Sequence, residues 1–177
     1  MEIKPILMSK YIGHSGVEYI FEYFDADSFE HLDYSLCKQT YAVCFCGEKI
    51  VIVYQGDKNT WGLVGGSVEK GETFEQTLKR EIKEESNMKV IDFLPIGYQK
   101  VIDTRDNSFI YQLRYVCTAK PYGHFISDPA GAITEVRLID PKDYKKYFDW
   151  GEIGERIISR ALELNRYLNT FSPFTYS

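Results

Sequence analysis

Three glutamates, Glu81, Glu84 and Glu85, stand at positions i, i+3 and i+4 of the run KREIKEES. On a helix that spacing puts their side chains on one face, with β-carbons about 5 to 6 Å apart. Each pair then repels by about 3 kcal/mol at an effective dielectric of 20, and by under about 1 kcal/mol if fully hydrated. Alone, such a run is an ordinary solvated helix face, because Arg80 can pair with Glu84 and Lys79 with Glu75 at i, i+4. Its neighbours argue for more. Gly65-Gly66 follows an apolar segment and precedes a loop, and glycines there let backbone groups approach a ligand with no β-carbon in the way. Glu72, just ahead of the acidic run, is placed to reach Arg80 and pin loop to helix. An oxygen-seeking dication answers the acidic trio best, since Mg²⁺ takes a few carboxylates and leaves its remaining positions to water or phosphate.

These residues depend on the elements that carry them. Phe74, Leu78 and Ile82 recur every four residues, so the spacing predicts a helix over Phe74–Ser86. Thr73 with Gln76 three residues on forms a capping-box pattern at its start, and Asn87 suits a left-handed residue closing its end. Upstream, TYAVCFCGEKIVIVYQ reads as two strands buried on both faces and joined by a tight glycine-first turn at Gly47-Glu48. Downstream, residues 89–101 and 109–119 form a long antiparallel pair about the turn residues Arg105 to Ser108. A strand over 132–140, a short proline-started helix over 141–148 and a helix over 152–168 follow. Residues 1–36 are rich in aromatics. VEYIFEYF reads as a strand there, and SFEHLDYSL as a further element. The sum is an α/β chain with a mixed sheet.

Composition narrows the partners. With 177 residues, the chain fits one domain with decoration, divided as an N-terminal extension (1–36) and a main domain (37–177). Twenty-one basic against 26 acidic residues give a net charge of −5, which disfavours a nucleic-acid polymer but not a small nucleotide held through a metal ion. No apolar run is long enough to cross a bilayer, and no secretory signal is legible, so the expected location is the cytoplasm. The four cysteines lack CxxC spacing and read as reduced, packed thiols.

The acidic segment resembles the signature of the Nudix hydrolases: Gly, five residues, Glu, seven residues, Arg-Glu, an aliphatic, any residue, Glu-Glu, any residue, Gly, an aliphatic. Here it reads Gly66, Glu72, Arg80-Glu81, Ile82, Glu84-Glu85, Asn87 and Met88. Every charged position agrees. Asn87 replaces the usual glycine, and Val64 stands where many members have proline. The resemblance implies a Nudix-like α/β/α sandwich and Mg²⁺- or Mn²⁺-dependent hydrolysis of a pyrophosphate bond in a nucleoside diphosphate linked to another group. By that analogy the Gly65 carbonyl, Glu81 and Glu85 ligate metal. Glu84 is a further ligand or orients the attacking water, and Arg80 holds Glu72.

The general base is open between the signature helix and a variable loop, where Glu135 resembles the acidic loop residue of some members. His14, His31 and His124 are isolated and read as packed or solvent-facing. Gly66, Trp61, Arg105 and Arg114 are the candidate substrate contacts, with packing favoured over base stacking for Trp61; Tyr54 and Tyr111 are further aromatic candidates. The expected substrate is a nucleoside triphosphate or small nucleotide conjugate. ADP-ribose is disfavoured because Ile102, Asp103 and Thr104 occupy the region where that subgroup carries a proline. A nucleotide sugar is the other alternative substrate, and a nucleotide-binding module without turnover is the rival function. The N-terminal extension is expected to cover a sheet edge, shape the pocket or pair two subunits as a homodimer.

Overall fold

Along β3 (Cys37–Cys46), Ala42 and Cys44 belong to one apolar layer while Val43 and Phe45 belong to the other. β4 (Lys49–Gln55) repeats the division, with Val51 and Val53 against Ile50 and Ile52. Strand side chains alternate with period two, so continuous apolar runs mean that both faces of this sheet are covered. In the computed structural model, which describes residues 3–13 and 15–170, a helix covers each face. His14 lies outside the described residues.

Leu78 and Ile82 of α1 (Phe74–Ser86) enter one layer, and Ile153, Ile157 and Ala161 of α2 (Gly151–Thr170) enter the other. The remaining strands are β1 (Leu7–Ile12), β2 (Glu18–Asp25), β5 (Thr60–Ser67), β6 (Met88–Asp103), β7 (Phe109–Pro121) and β8 (Ile133–Ile139). All eight form one sheet in the order β1-β2-β6-β7-β3-β5-β4-β8. It is mixed: β3 runs parallel to β7, and the other pairings are antiparallel. The α/β/α sandwich expected from the sequence is the fold.

Local chemistry sets the elements that carry the acidic run. The Thr73 hydroxyl accepts from the Gln76 amide while the Gln76 side chain accepts from the Thr73 amide, so the capping box is complete. Asn87 closes the helix in the left-handed region at φ 54°. Gly47 has φ 63° at the first position of the β3–β4 turn, as a glycine-first hairpin requires.

The N-terminal part differs from expectation in detail. SFEHLDYSL yields only a 3-10 turn at Tyr34–Leu36, started by the Asp33 carboxylate on the Ser35 amide. A strand the sequence did not announce, β1, pairs with β2, which in turn lines β6. Met8, Tyr11 and Ile12 are exposed along this outer edge. All four cysteines are free thiols, with Cys44 and Cys117 opposite one another on β3 and β7.

Leu78 is fully buried between α1 and the sheet. Truncating a buried leucine removes transfer energy and leaves a cavity, so Leu78→Ala is expected to cost about 2 to 5 kcal/mol, read as a lower denaturant midpoint at unchanged slope.

Candidate active site

One guanidinium organises the acidic face. Arg80 Nε donates to Glu72 Oε1 at 2.6 Å and its Nη2 to Glu72 Oε2 at 3.0 Å, a two-pronged pair. Nη2 also reaches the Ser67 carbonyl, and Nη1 donates to Glu81 at 2.8 Å and Glu84 at 3.2 Å. Glu72 accepts in addition from the Thr77 hydroxyl and the Glu69 amide. Loop, strand end and helix are thereby tied at one point. The Arg80 guanidinium holds the Glu72 carboxyl down at about 2.

Glu85 sits deeper, 9% exposed, and accepts from the Gly65 amide at 2.9 Å. Burial pushes its carboxyl up to about 8; the Gly65 hydrogen bond opposes the rise, and the negative charges of Glu81, Asp128 and Glu84 add to it. Burial raises Glu81 as well, against the pull of Arg80. The paired glycines make the approach possible. A β-carbon on Gly66 would stand 2.6 Å from the Glu81 carboxylate, and one on Gly65, at φ 145°, would stand 2.1 Å from the Thr40 carbonyl oxygen.

As the side chains stand, no three acidic, histidine or cysteine groups converge on one point among the described residues, and Arg80 Nη1 bridges Glu81 and Glu84. The donor chemistry nevertheless fits a hard dication. It is all oxygen, and burial raises Glu81 and Glu85, so added positive charge would favour their ionised forms.

Gly65, Gly66, Glu72, Arg80, Glu81, Glu84 and Glu85 are brought together; other candidates fall elsewhere. Glu135 lies on β8 paired to Arg137, whose guanidinium covers the Trp61 ring on the α2 side of the sheet. The acidic group that the loop before β8 sends toward Glu81 and Glu85 is instead Asp128, buried and accepting from the amides of Ala130, Ala132 and Ile133. The sequence alone does not single out Asp128.

Trp61 packs between Tyr54 and Tyr147. Tyr111 packs against Tyr98 and Phe109. Arg105 is held by Asp103 in the β6–β7 turn, away from the acidic face. Arg114 is no surface cation. Only 5% exposed, it lies between the rings of Tyr41, at 4.8 Å, and Trp150, at 5.7 Å. Its Nη2 donates to Gln112, which bonds Gln39 and Gln99, and its Nε has no hydrogen-bond partner among the described residues. The Tyr41 hydroxyl feels the charges of Arg114, Glu85 and Glu81 together.

The raised Glu85 carboxyl has a stability consequence in metal-free protein. The folded chain keeps that proton up to about pH 8, whereas the unfolded chain releases it near the ordinary value of 4.5. Between these values the unfolded state binds fewer protons, so stability falls as pH rises. Denaturant midpoints measured in chelator from pH 5 to 8 are expected to decline for the native chain and to flatten in Glu85→Gln.

The chain matches the model of the NUDIX domain over residues 38–160. No curated protein matches its sequence. Among solved structures, it is similar to a mutant of the Bacillus subtilis pyrophosphohydrolase RppH at TM-score 0.64 and 16% identity, covering 89% of this chain and 98% of that one. It is also similar to a NUDIX hydrolase from Nitrosomonas europaea, at TM-score 0.54 and 16% identity over 80% and 99% of the two chains. A MutT NUDIX hydrolase from Burkholderia pseudomallei matches at TM-score 0.53 and 15% identity over 69% and 95%. Identities this low speak for the fold, while the domain match spans most of the chain: it belongs to the NUDIX family.

Proposed function

We propose that this protein hydrolyses the pyrophosphate bond of a nucleoside diphosphate linked to another group, with Mg²⁺ or Mn²⁺ as cofactor. The observation that carries the reading is the acidic face itself: three glutamates on one helix face, opposite two glycines and braced by a single arginine. Glu81, Glu84, Glu85 and the Gly65 carbonyl would hold the metal. Bound there, it would neutralise phosphate charge and lower the pKa of a water ligand.

The chain's own residues do the rest. Arg80 and Glu72 hold the loop and helix in register, and the Gly65 amide fixes the Glu85 carboxylate. Glu84 is the most exposed of the three glutamates on this face, with its side chain about one-third open to solvent, so it is the group to orient the attacking water and accept its proton. That water's oxygen bonds to one phosphorus while the bridging oxygen leaves with the other phosphate. Arg114, flanked by Tyr41 and Trp150, is the proposed contact for an acceptor-rich part of the nucleotide. The exposed apolar edge of β1 is the surface along which two copies would pair.

A nucleotide panel assayed for phosphate or nucleoside monophosphate release with Mg²⁺ tests the reading and separates it from a binding module without turnover. Glu84→Gln or Glu85→Gln is expected to lower turnover at least about 100-fold, by analogy with the cost of disturbing metal shells. Unchanged rates in both variants would refute these roles.

A further inference from the structure

Beside the acidic face, on the side away from Gly65, lies an open cleft of about 800 Å³. One wall is the Lys79, Lys83 and Asn87 side of α1, and the other is the segment after β7, with Tyr122, Ile126 and Pro129. Arg80 and Glu84 belong to both the cleft and the acidic cluster, so the two spaces are continuous. The walls are joined. The Tyr122 amide donates to the Asn87 carbonyl at 2.9 Å, and the Asn87 side-chain amide donates to the His124 carbonyl at 3.0 Å.

The charge of this cleft runs against that of the chain. Lys79 and Lys83 stand one helical turn apart, about 6 Å along the axis. Neither has an acidic partner among the described residues, whereas Lys10, Lys100, Lys142, Lys145 and Lys146 each do. Lys79 lies over the Phe93 ring at 5.3 Å and Lys83 over the Tyr122 ring at 5.5 Å. The rings support the ammonium groups without neutralising them. Ile126 is 90% exposed on the facing wall, adding apolar surface at the rim.

We propose that this cleft is a second subsite, which takes a phosphate-bearing arm of the substrate beyond the scissile bond. The inference deepens the hydrolase reading and rests on it for the identity of the bond cut. A substrate gripped at Glu81, Glu84 and Glu85 and extended past Glu84 meets Lys83 and then Lys79. Negative charge is rewarded there, and a neutral sugar gains nothing from two ammonium groups. The favoured linked group is therefore a further phosphate or a phosphorylated nucleoside.

Binding and turnover test it separately. Titration calorimetry with inorganic tripolyphosphate and Mg²⁺ compares the native chain, Lys79→Gln/Lys83→Gln and Lys79→Arg/Lys83→Arg, with thermal melting to establish that each is folded. Affinity is expected to fall at least about tenfold in the glutamine pair, with a shallower salt dependence, and to be retained in the arginine pair. In the hydrolysis assay, the ratio of kcat/KM for nucleoside polyphosphates to that for nucleotide sugars should fall by a similar factor in the glutamine pair. Tripolyphosphate affinity indifferent to lysine neutralisation overturns the subsite, whatever the hydrolysis assay gives. Lysine-dependent binding without hydrolysis of any nucleotide leaves the subsite standing and overturns the hydrolase reading.

Discussion

Arg80 is the interaction on which the acidic face depends. Four carboxylates gather near one turn of α1, and in the folded chain this guanidinium is the counter-charge that touches three of them. Its pairing with Glu72 draws in the Thr77 hydroxyl, the Glu69 amide and the Ser67 carbonyl, so a charge contact becomes a joint between strand, loop and helix. Glu85 is outside that joint. Among the described residues its one hydrogen bond is from the Gly65 amide, and burial raises its carboxyl with no guanidinium to oppose the rise, as Arg80 does for Glu81. A face balanced in this way holds its oxygens in place while remaining short of positive charge.

The sheet explains why such a face can exist at all. Two apolar layers, one under each helix, fix α1 against the β3 and β5 region where Gly65 and Gly66 lie. Rigid packing sets the separation between helix and strand; the missing β-carbon of Gly66 leaves room for the Glu81 carboxylate, and that of Gly65 lets its strand lie close against the Thr40 backbone. On the opposite side of the sheet the glutamines at 39, 99 and 112 form a hydrogen-bonded row across three strands, with Arg114 at its end. The acidic cluster thus lies between a buried polar row and an open basic cleft.

Much of this was legible in the sequence because local chemistry and global position agreed. The stripe Phe74, Leu78 and Ile82, the Thr73–Gln76 cap and Asn87 defined α1 to the residue, and charge spacing placed its glutamates on one face. What escaped was decided by tertiary neighbours. LMSKYI has weak alternation and becomes a strand only because β2 offers it an edge. Glu135 sits in a strand whose register turns it toward Arg137, while Asp128, inside a turn, is aimed by three backbone amides. Arg114 read as a candidate phosphate contact, yet its place on a central strand buries it.

The substitution of asparagine for the family's usual glycine at position 87 carries more than a tolerated backbone angle. Glycine would make the same left-handed bend but has no side chain, whereas the Asn87 amide latches the end of α1 to the His124 backbone. A departure that costs little locally thereby couples the signature helix to the segment between β7 and β8. Through it, drift in the loop's sequence can retune what the protein selects without disturbing how its acids are held.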